Sequence, residues 1–232
     1  MSHSIKWLGH AACQITSEKG KVILIDPWIT GNPSCPIKKE DITRADIILI
    51  THDHDDHLGS DVPDIVKATG ATVLVQPELA GKLQEAGVSA DNIIFGMGMN
   101  IGGQVEVSGI KVTMTQAFHS AGAGDPTGFI VILEDGKTVY HAGDTGIFSS
   151  MGILGELYDI DLALLPIGSV FVMDPVQAAH SLTLLKPQKA IPIHYGTFPI
   201  LVQDAEEFTE LAKQKTPNVT VEALKPGEEI SL

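Results

Sequence analysis

The chain has 232 residues, 44% of them hydrophobic, and a formal net charge of -14 from 15 basic and 29 acidic side chains. That apolar content excludes disorder and is enough for a large buried core. A phosphate-rich polymer gains affinity from Lys and Arg side chains that displace counterions, so a chain this acidic, with Arg44 as its one arginine, is not expected to bind nucleic acid.

No Pro/Gly/Ser-rich linker divides the sequence, so 1–232 reads as one domain. Its apolar runs fall well short of the roughly 20 residues that cross a bilayer. Met1 to Ile15 lacks the apolar core and cleavage pattern of a signal peptide, so a cytoplasmic protein with no membrane partner is expected. Cys13 and Cys35 stand in unlike settings and read as free thiols, with a disulfide between them as the alternative.

In chain order, Ile5 to Leu8, Ala12 to Thr16 and Val22 to Asp26 read as strands, with a hairpin turn at Glu18 to Lys21. A Pro-rich loop from Pro27 to Pro36 leads to a strand at Asp46 to Ile50. Helices are predicted at Asp61 to Thr69 and Glu78 to Ala86, the second stopped by Gly87. Strands follow at Thr72 to Val75, Ile93 to Phe95, Gln104 to Val107 and Ile110 to Gln116. The second half repeats the scheme. Strands at Thr127 to Glu134 and Thr138 to His141 are joined by Asp135-Gly136, and Asp161 to Leu165 is another buried strand. Asp174 caps a helix that opens on Pro175 and runs to about Leu185, Lys189 to His194 is a strand, and Asp204 to Gln214 is a final helix. Strands in two groups with scattered helices predict an α+β fold, two mixed sheets packed face to face with helices outside, a four-layer αβ/βα sandwich.

His52-Asp53-His54-Asp55-Asp56-His57 follows the apolar run Ile47 to Ile50 directly. Residues i and i+2 of an extended segment share a face, so His52 and His54 can grip one ion. Asp56 and His57, after the chain turns, are free to point at a second. His119, Asp144 and His194 each end a further apolar run, and each is followed within a few residues by glycine, where a strand gives way to a loop. Imidazoles and carboxylates in this mixture suit divalent first-row ions, zinc first, with manganese, nickel or iron as alternatives.

The pattern His-x-His-x-Asp-His followed by a later His, Asp and His resembles the metallo-β-lactamase superfamily. Trp7-Leu8-Gly9-His10-Ala11, Leu24-Ile25-Asp26-Pro27 and Tyr195-Gly196-Thr197-Phe198 look like its uncharacterised metal-dependent hydrolase branch, related to the ascorbate-6-phosphate lactonases. The resemblance implies the same sandwich fold. It also implies that His52, His54 and His119 hold one metal, that Asp56, His57 and His194 hold the other, and that Asp144 bridges them. The expected activity is hydrolysis of a small polar ester or lactone by hydroxide held between two metals, because divalent ions lower the pKa of bound water to about 7.

Around these ligands, Asp26 reads either as the acceptor that fixes a ligand histidine or as a turn cap before Pro27. By resemblance His10 lies near the metals, where it orients substrate, acts as an acid or is merely structural. Asp56, His10 and Asp26 are thus the catalytic candidates, and Tyr195 and His141 the substrate-binding ones. His180 is expected to be a buried structural histidine, on one helix face with Val176 and Leu184. The loops Trp28 to Ile37, Gly96 to Gly103, Ser120 to Pro126 and Gly168 to Asp174 are expected to surround the metals, and their apolar side chains either close over a substrate or join two subunits as a homo-oligomer.

The competing readings are a phosphodiesterase or nuclease, a non-catalytic sensing module, which would normally have lost ligands, and a diiron reductase, which usually carries Glu at the position of His54 and a flavin domain. The nuclease reading generates a test. With a net charge of -14, the protein is expected to give no shifted band with RNA at physiological salt, whereas tight, salt-sensitive binding would revive that reading.

Overall fold

The computed structural model describes residues 2–232. Its first half contains strands β1 (Ser4–Gly9), β2 (Ala12–Thr16), β3 (Val22–Ile25) and β4 (Ile47–Leu49), helix α1 (Val62–Thr69), strand β5 (Thr72–Leu74) and helix α2 (Pro77–Glu85). There follow β6 (Gln104–Val107), β7 (Ile110–Gln116), β8 (Thr127–Ile132), β9 (Thr138–His141), α3 (Met151–Leu157), β10 (Leu162–Pro166), α4 (Pro175–Leu185) and β11 (Lys189–Ile193). The chain finishes with α5 (Glu206–Lys215), β12 (Thr220–Val221) and β13 (Glu229–Ser231).

The strands form two mixed sheets, in the orders β13-β1-β2-β3-β4-β5 and β12-β11-β10-β9-β8-β7-β6. In each, an antiparallel hairpin precedes a set of parallel strands. Period-2 alternation divides the apolar side chains between layers. Ile23, Ile25, Ile47 and Leu49 meet Met114, Phe129, Val131 and Leu164 between the sheets. Leu24, Ile48 and Ile50 point the other way, onto Ile65, Val66 and Leu79 of α1 and α2. Tyr140, Ala163 and Leu165 pack under Ala178, Leu182 and Phe208 of α4 and α5. Three apolar layers between four layers of secondary structure make the predicted αβ/βα sandwich.

Most element boundaries fall within two residues of those expected. The strand expected at Ile93 to Phe95 does not form. Ile93 makes one isolated bridge to Val73, and the chain then turns through Phe95 and Gly96, both at positive φ. Conversely, α3 was not legible, because its sequence carries Gly152 and Gly155 and only Met151 is buried. A Cβ at Gly155 would lie 2.3 Å from the Leu184 carbonyl oxygen, so the glycine that weakens the helix locally is what lets it dock on α4. The short edge strands β12 and β13 are set by their neighbours alone.

His180 corrects another expectation, since it is exposed. Helix α4 turns Ala178, Ala179, Ser181, Leu182 and Leu185 inward, which leaves His180 and the half-exposed Val176 on the solvent side. Both cysteines are free, Cys13 within the inter-sheet layer and Cys35 in a half-buried loop. No described helix is long and apolar enough to cross a membrane.

Truncating Phe129, fully buried between the sheets, is therefore expected to cost about 3–5 kcal/mol in denaturant unfolding. His180→Ala should stay within about 0.5 kcal/mol. Equal losses would contradict this division into core and surface.

Candidate metal centre

Every candidate ligand sits just beyond the C-terminal end of a strand. His52 to His57 follow β4, His119 follows β7, Asp144 follows β9 and His194 follows β11. The His57 and Leu58 amides donate to the His54 carbonyl at 3.0 and 2.9 Å, forming one helical turn that swings Asp56 and His57 away from His52 and His54. The seven side chains converge between the two sheets. His52, His54 and His119 form one donor cluster, and His10, Asp56, His57 and His194 a second. His52, His57 and Asp144 form a third group, which connects the first two.

One buried carboxylate organises both clusters. Asp26, fully buried at φ +46°, accepts from the Thr51 amide at 2.8 Å, the Thr51 hydroxyl at 2.6 Å and His57 Nδ1 at 2.8 Å. With its proton directed at Asp26, the Thr51 hydroxyl is left as acceptor for His52 Nδ1–H at 3.0 Å. Both rings are thereby set in the Nδ1–H tautomer, with Nε2 aimed into the site. Burial opposes the ionised form of Asp26, but the adjoining His57 ring holds its carboxyl below the usual range. Thr51 also joins the sheets, because its carbonyl accepts from the Thr127 amide and hydroxyl at 3.0 and 2.9 Å.

On the other side of His57, Nε2 lies 3.2 Å from Asp144 Oδ1, and Asp144 Oδ2 lies 3.0 Å from His194 Nε2 and 3.6 Å from His119 Nε2. Burial alone would discharge His57, yet Asp144 and Asp26 hold it well above the ordinary imidazole range. Asp144 is likewise held well below the usual carboxylate range, against its burial, by His57 and His194. The field at this point favours a cation. His52, by contrast, is pushed down to about 3 by burial and by the neighbouring His57. Its Nε2 lies 2.9 Å from His54 Nδ1, which is 3.3 Å from His119 Nε2.

The residues therefore fit divalent metal. Ring nitrogens face one another at hydrogen-bond range, and His57 Nε2 and Asp144 Oδ1 are buried without a well-aligned partner. An ion would satisfy all of these lone pairs together. Space for His194 is made by Gly168, where a Cβ would lie 2.2 Å from the His194 carbonyl oxygen and 2.9 Å from Nδ1.

His10 lies fully buried behind Asp56. Burial pushes it down to about 4, so it carries one proton, which Nε2 directs to Asp56 Oδ2 at 3.1 Å while Nδ1 accepts from the Thr197 hydroxyl at 3.0 Å. His10 and Asp26 thus contact ligands and stay away from the cavity surface, and their geometry is that of positioning residues. Asp56 is held below the usual range, against burial, by the His10 hydrogen bond and by His57.

Two expectations are corrected. His141 is fully buried, donates from Nε2 to the Ala11 carbonyl at 3.0 Å and accepts the Gly143 amide on Nδ1 at 3.1 Å, so it has nothing left for substrate. Tyr195 turns away from the donor clusters, stacks on Trp7 at 5.2 Å and donates to the Leu224 carbonyl at 3.3 Å.

The cavity at the donor clusters, about 350 Å³, is lined by candidate ligands together with Ser120, Phe171, Phe198 and Leu201. Of the expected rim loops, Ser120 to Pro126 and Gly168 to Asp174 reach it. Gly96 to Gly103 does not, and Trp28 lies behind His10. The Phe198 and Leu201 wall was not legible in the sequence, although Phe198 lies four residues after His194. A second cavity of about 250 Å³, between α3 and β7, is lined by Phe148, Leu154 and Leu157 and holds no ligand cluster. His3, Glu18 and Asp135 also meet, but the Glu18 amide donates to His3 Nδ1 at 2.9 Å. That leaves the ring proton on Nε2, facing Asp135 at 3.0 Å, as a tether in place of a metal donor.

Comparison with known proteins identifies the family and the fold. The family profile described as Beta-lactamase superfamily domain matches residues 21–195. A protein of Nitratidesulfovibrio vulgaris named UPF0173 metal-dependent hydrolase is 47% identical over 232 residues, covering 100% of this chain and 96% of its own. A protein of the same name from Caldivirga maquilingensis is 46% identical over 229 residues, covering 98% of this chain and 97% of its own. The solved structure of Igni18, described as a novel metallo hydrolase from the hyperthermophilic archaeon Ignicoccus hospitalis, superposes with a TM-score of 0.90 at 36% identity, covering 100% of this chain and 99% of its own.

Asp26→Asn keeps the volume but loses an acceptor shared by two ligand-orienting contacts. It is expected to weaken metal binding roughly 10–100-fold with the fold intact, as read by metal titration and circular dichroism. Gly168→Ala should lower metal occupancy by displacing His194. Unchanged affinity in both variants would remove Asp26 and Gly168 from the site's support.

Proposed function

The chain belongs to the metal-dependent hydrolases of the metallo-β-lactamase superfamily, and from that premise we propose that it hydrolyses a small ester or lactone at a centre of two divalent ions. The observation that carries this reading is the pair of donor clusters with Asp144 between them, 3.2 Å from His57 on one oxygen and 3.0 Å and 3.6 Å from His194 and His119 on the other. His52, His54 and His119 would hold one ion and Asp56, His57 and His194 the second, with Asp144 shared. Zinc suits this imidazole-rich set first, with manganese, nickel and iron as alternatives. When bound, such a pair supplies Lewis acidity and brings the pKa of water near 7.

The chain's own residues supply orientation and exclusion of water. Asp26 keeps the Nε2 lone pairs of His52 and His57 pointed inward, directly for His57 and through the Thr51 hydroxyl for His52. His10 fixes Asp56 from behind, so that carboxylate cannot rotate away without breaking the 3.1 Å contact. Phe171, Phe198 and Leu201 wall the cavity and lower its dielectric, which strengthens each electrostatic contact inside. Neither cysteine reaches the cavity, and a thiol nucleophile is not required. At about 350 Å³ the cavity suits a small molecule. No Lys or Arg lines it, which places ester and lactone ahead of phosphodiester.

Elemental analysis of protein purified without chelator should approach about two ions per chain. A firm value of one, unchanged by added zinc, manganese or nickel, would refute the dinuclear centre. His54→Ala and Asp144→Ala should abolish turnover while leaving the fold, since both side chains lie beyond strand ends. In a panel of esters, lactones and phosphodiesters, activity should rise with pH through one ionisation and then level off. Turnover of phosphodiesters alone would reverse the substrate order.

A further inference from the structure

Resting on the proposed reading of the metal centre, we infer that the substituent next to the scissile group is uncharged and apolar, an alkyl or aryl group seated against Phe171, Phe198 and Leu201.

Apart from ligands, the cavity offers these three side chains and one hydroxyl, that of Ser120. A second anionic group on the substrate would find no partner. Lys82, on the neighbouring α2, is already paired with Asp53, whose other oxygen accepts the Gly122 amide at 2.7 Å. Such an anion would instead face Asp56, whose side chain is 31% exposed. An apolar group loses nothing by the absence of charge partners, and it covers Phe171 and Phe198, which are 55% and 37% exposed.

The apolar wall is pre-formed. The Val202 amide donates to the Gly168 carbonyl at 3.0 Å, joining the two loops that carry the wall, and the Gly196 amide donates to the Val202 carbonyl at 2.8 Å within the second of them. The Gln203 side chain donates to the Phe198 carbonyl at 2.9 Å. Phe198 stacks on Trp28 at 6.1 Å and meets the His10 ring edge-on at 5.6 Å, so its orientation is tied to the residue that holds Asp56. Phe171 follows Ser169 and Val170, both in the left-handed region at φ +63° and +55°. A β-branched residue adopts that conformation only under strain, and here the strained turn sets an aromatic ring at the mouth of the site.

The test uses a matched pair of metal-chelating ligands, phenylacetohydroxamate and succinic monohydroxamate, titrated calorimetrically into metal-loaded protein. Both anchor through the same hydroxamate, so their difference reports the substituent. The aryl ligand is expected to bind on the order of 10-fold tighter. Phe171→Ala combined with Phe198→Ala should erase most of that preference, while Phe198→Leu should retain it. Both aromatic residues are partly exposed, so the variants are expected to fold. No binding of either ligand, no preference, a preference for the anionic ligand, or a preference that survives the double substitution would each overturn the inference. So would a dimer, seen by light scattering, that Phe171→Ala dissociates, because that would assign the ring to a subunit interface. If the aryl preference appears but no ester or lactone is turned over, the hydrolytic reading fails and the apolar subsite stands.

Discussion

A single buried carboxylate, Asp26, sets the conditions for the rest of the site. It is fully buried, and three hydrogen bonds compensate the loss of water around its charge. Two of them reach ligand histidines, one directly and one across the Thr51 hydroxyl, so the same group orients donors for both proposed ions. Remove its charge and the Thr51 proton is free to turn, the His52 tautomer is no longer set, and His57 loses the counterpart that fixes its ring. Its own position depends on the two sheets being together, because Thr51 is bonded to Asp26 within one sheet and to Thr127 of the other.

The fold places these groups by stacking two sheets so that the C-terminal ends of their parallel strands open toward the same point. An irregular loop can hold a precise donor there because the strand beneath it is packed in the core, with Ile25, Leu49 and Ile193 at 0% exposure just before Asp26, the His52 to His57 segment and His194. Close approach matters as much as burial. Gly168 lies so near His194 that any side chain would push the ring away.

Electrostatically, the centre inverts the character of its surroundings. The chain carries a net charge of -14, yet the residues at the site are imidazoles around Asp144 and Asp56, and burial lowers the pKa of His52, His10 and His119. His57 is shifted the other way, upward, because it stands between the carboxylates of Asp26 and Asp144. That is the local field a divalent ion requires, and the apolar wall around it excludes the water that would otherwise screen it.

The candidate metal ligands and the layered architecture were legible in the sequence, because both are written in short-range patterns. Histidines two residues apart after an apolar run share a face, and alternating aliphatic residues declare strands whatever lies across from them. Asp26 was legible as a candidate for the same reason, since it ends such a run. The Thr51 relay was not, because a threonine beside a strand end has no distinctive pattern until its hydroxyl is seen between two partners. Helix α3 forms only because Gly155 docks on Leu184, and His180 faces solvent because α4 uses a different stripe for its core contacts than its composition suggested. Tyr195 and His141 adjoin functional residues in sequence, but the strand's alternation and the neighbouring backbone turn them elsewhere. Which loops wall the cavity was decided by long-range packing, since Phe171 comes to it from one loop and Phe198 and Leu201 from another. Side-chain direction and long-range contact carry no short-range signature, and it is on these that the proposed substrate preference rests.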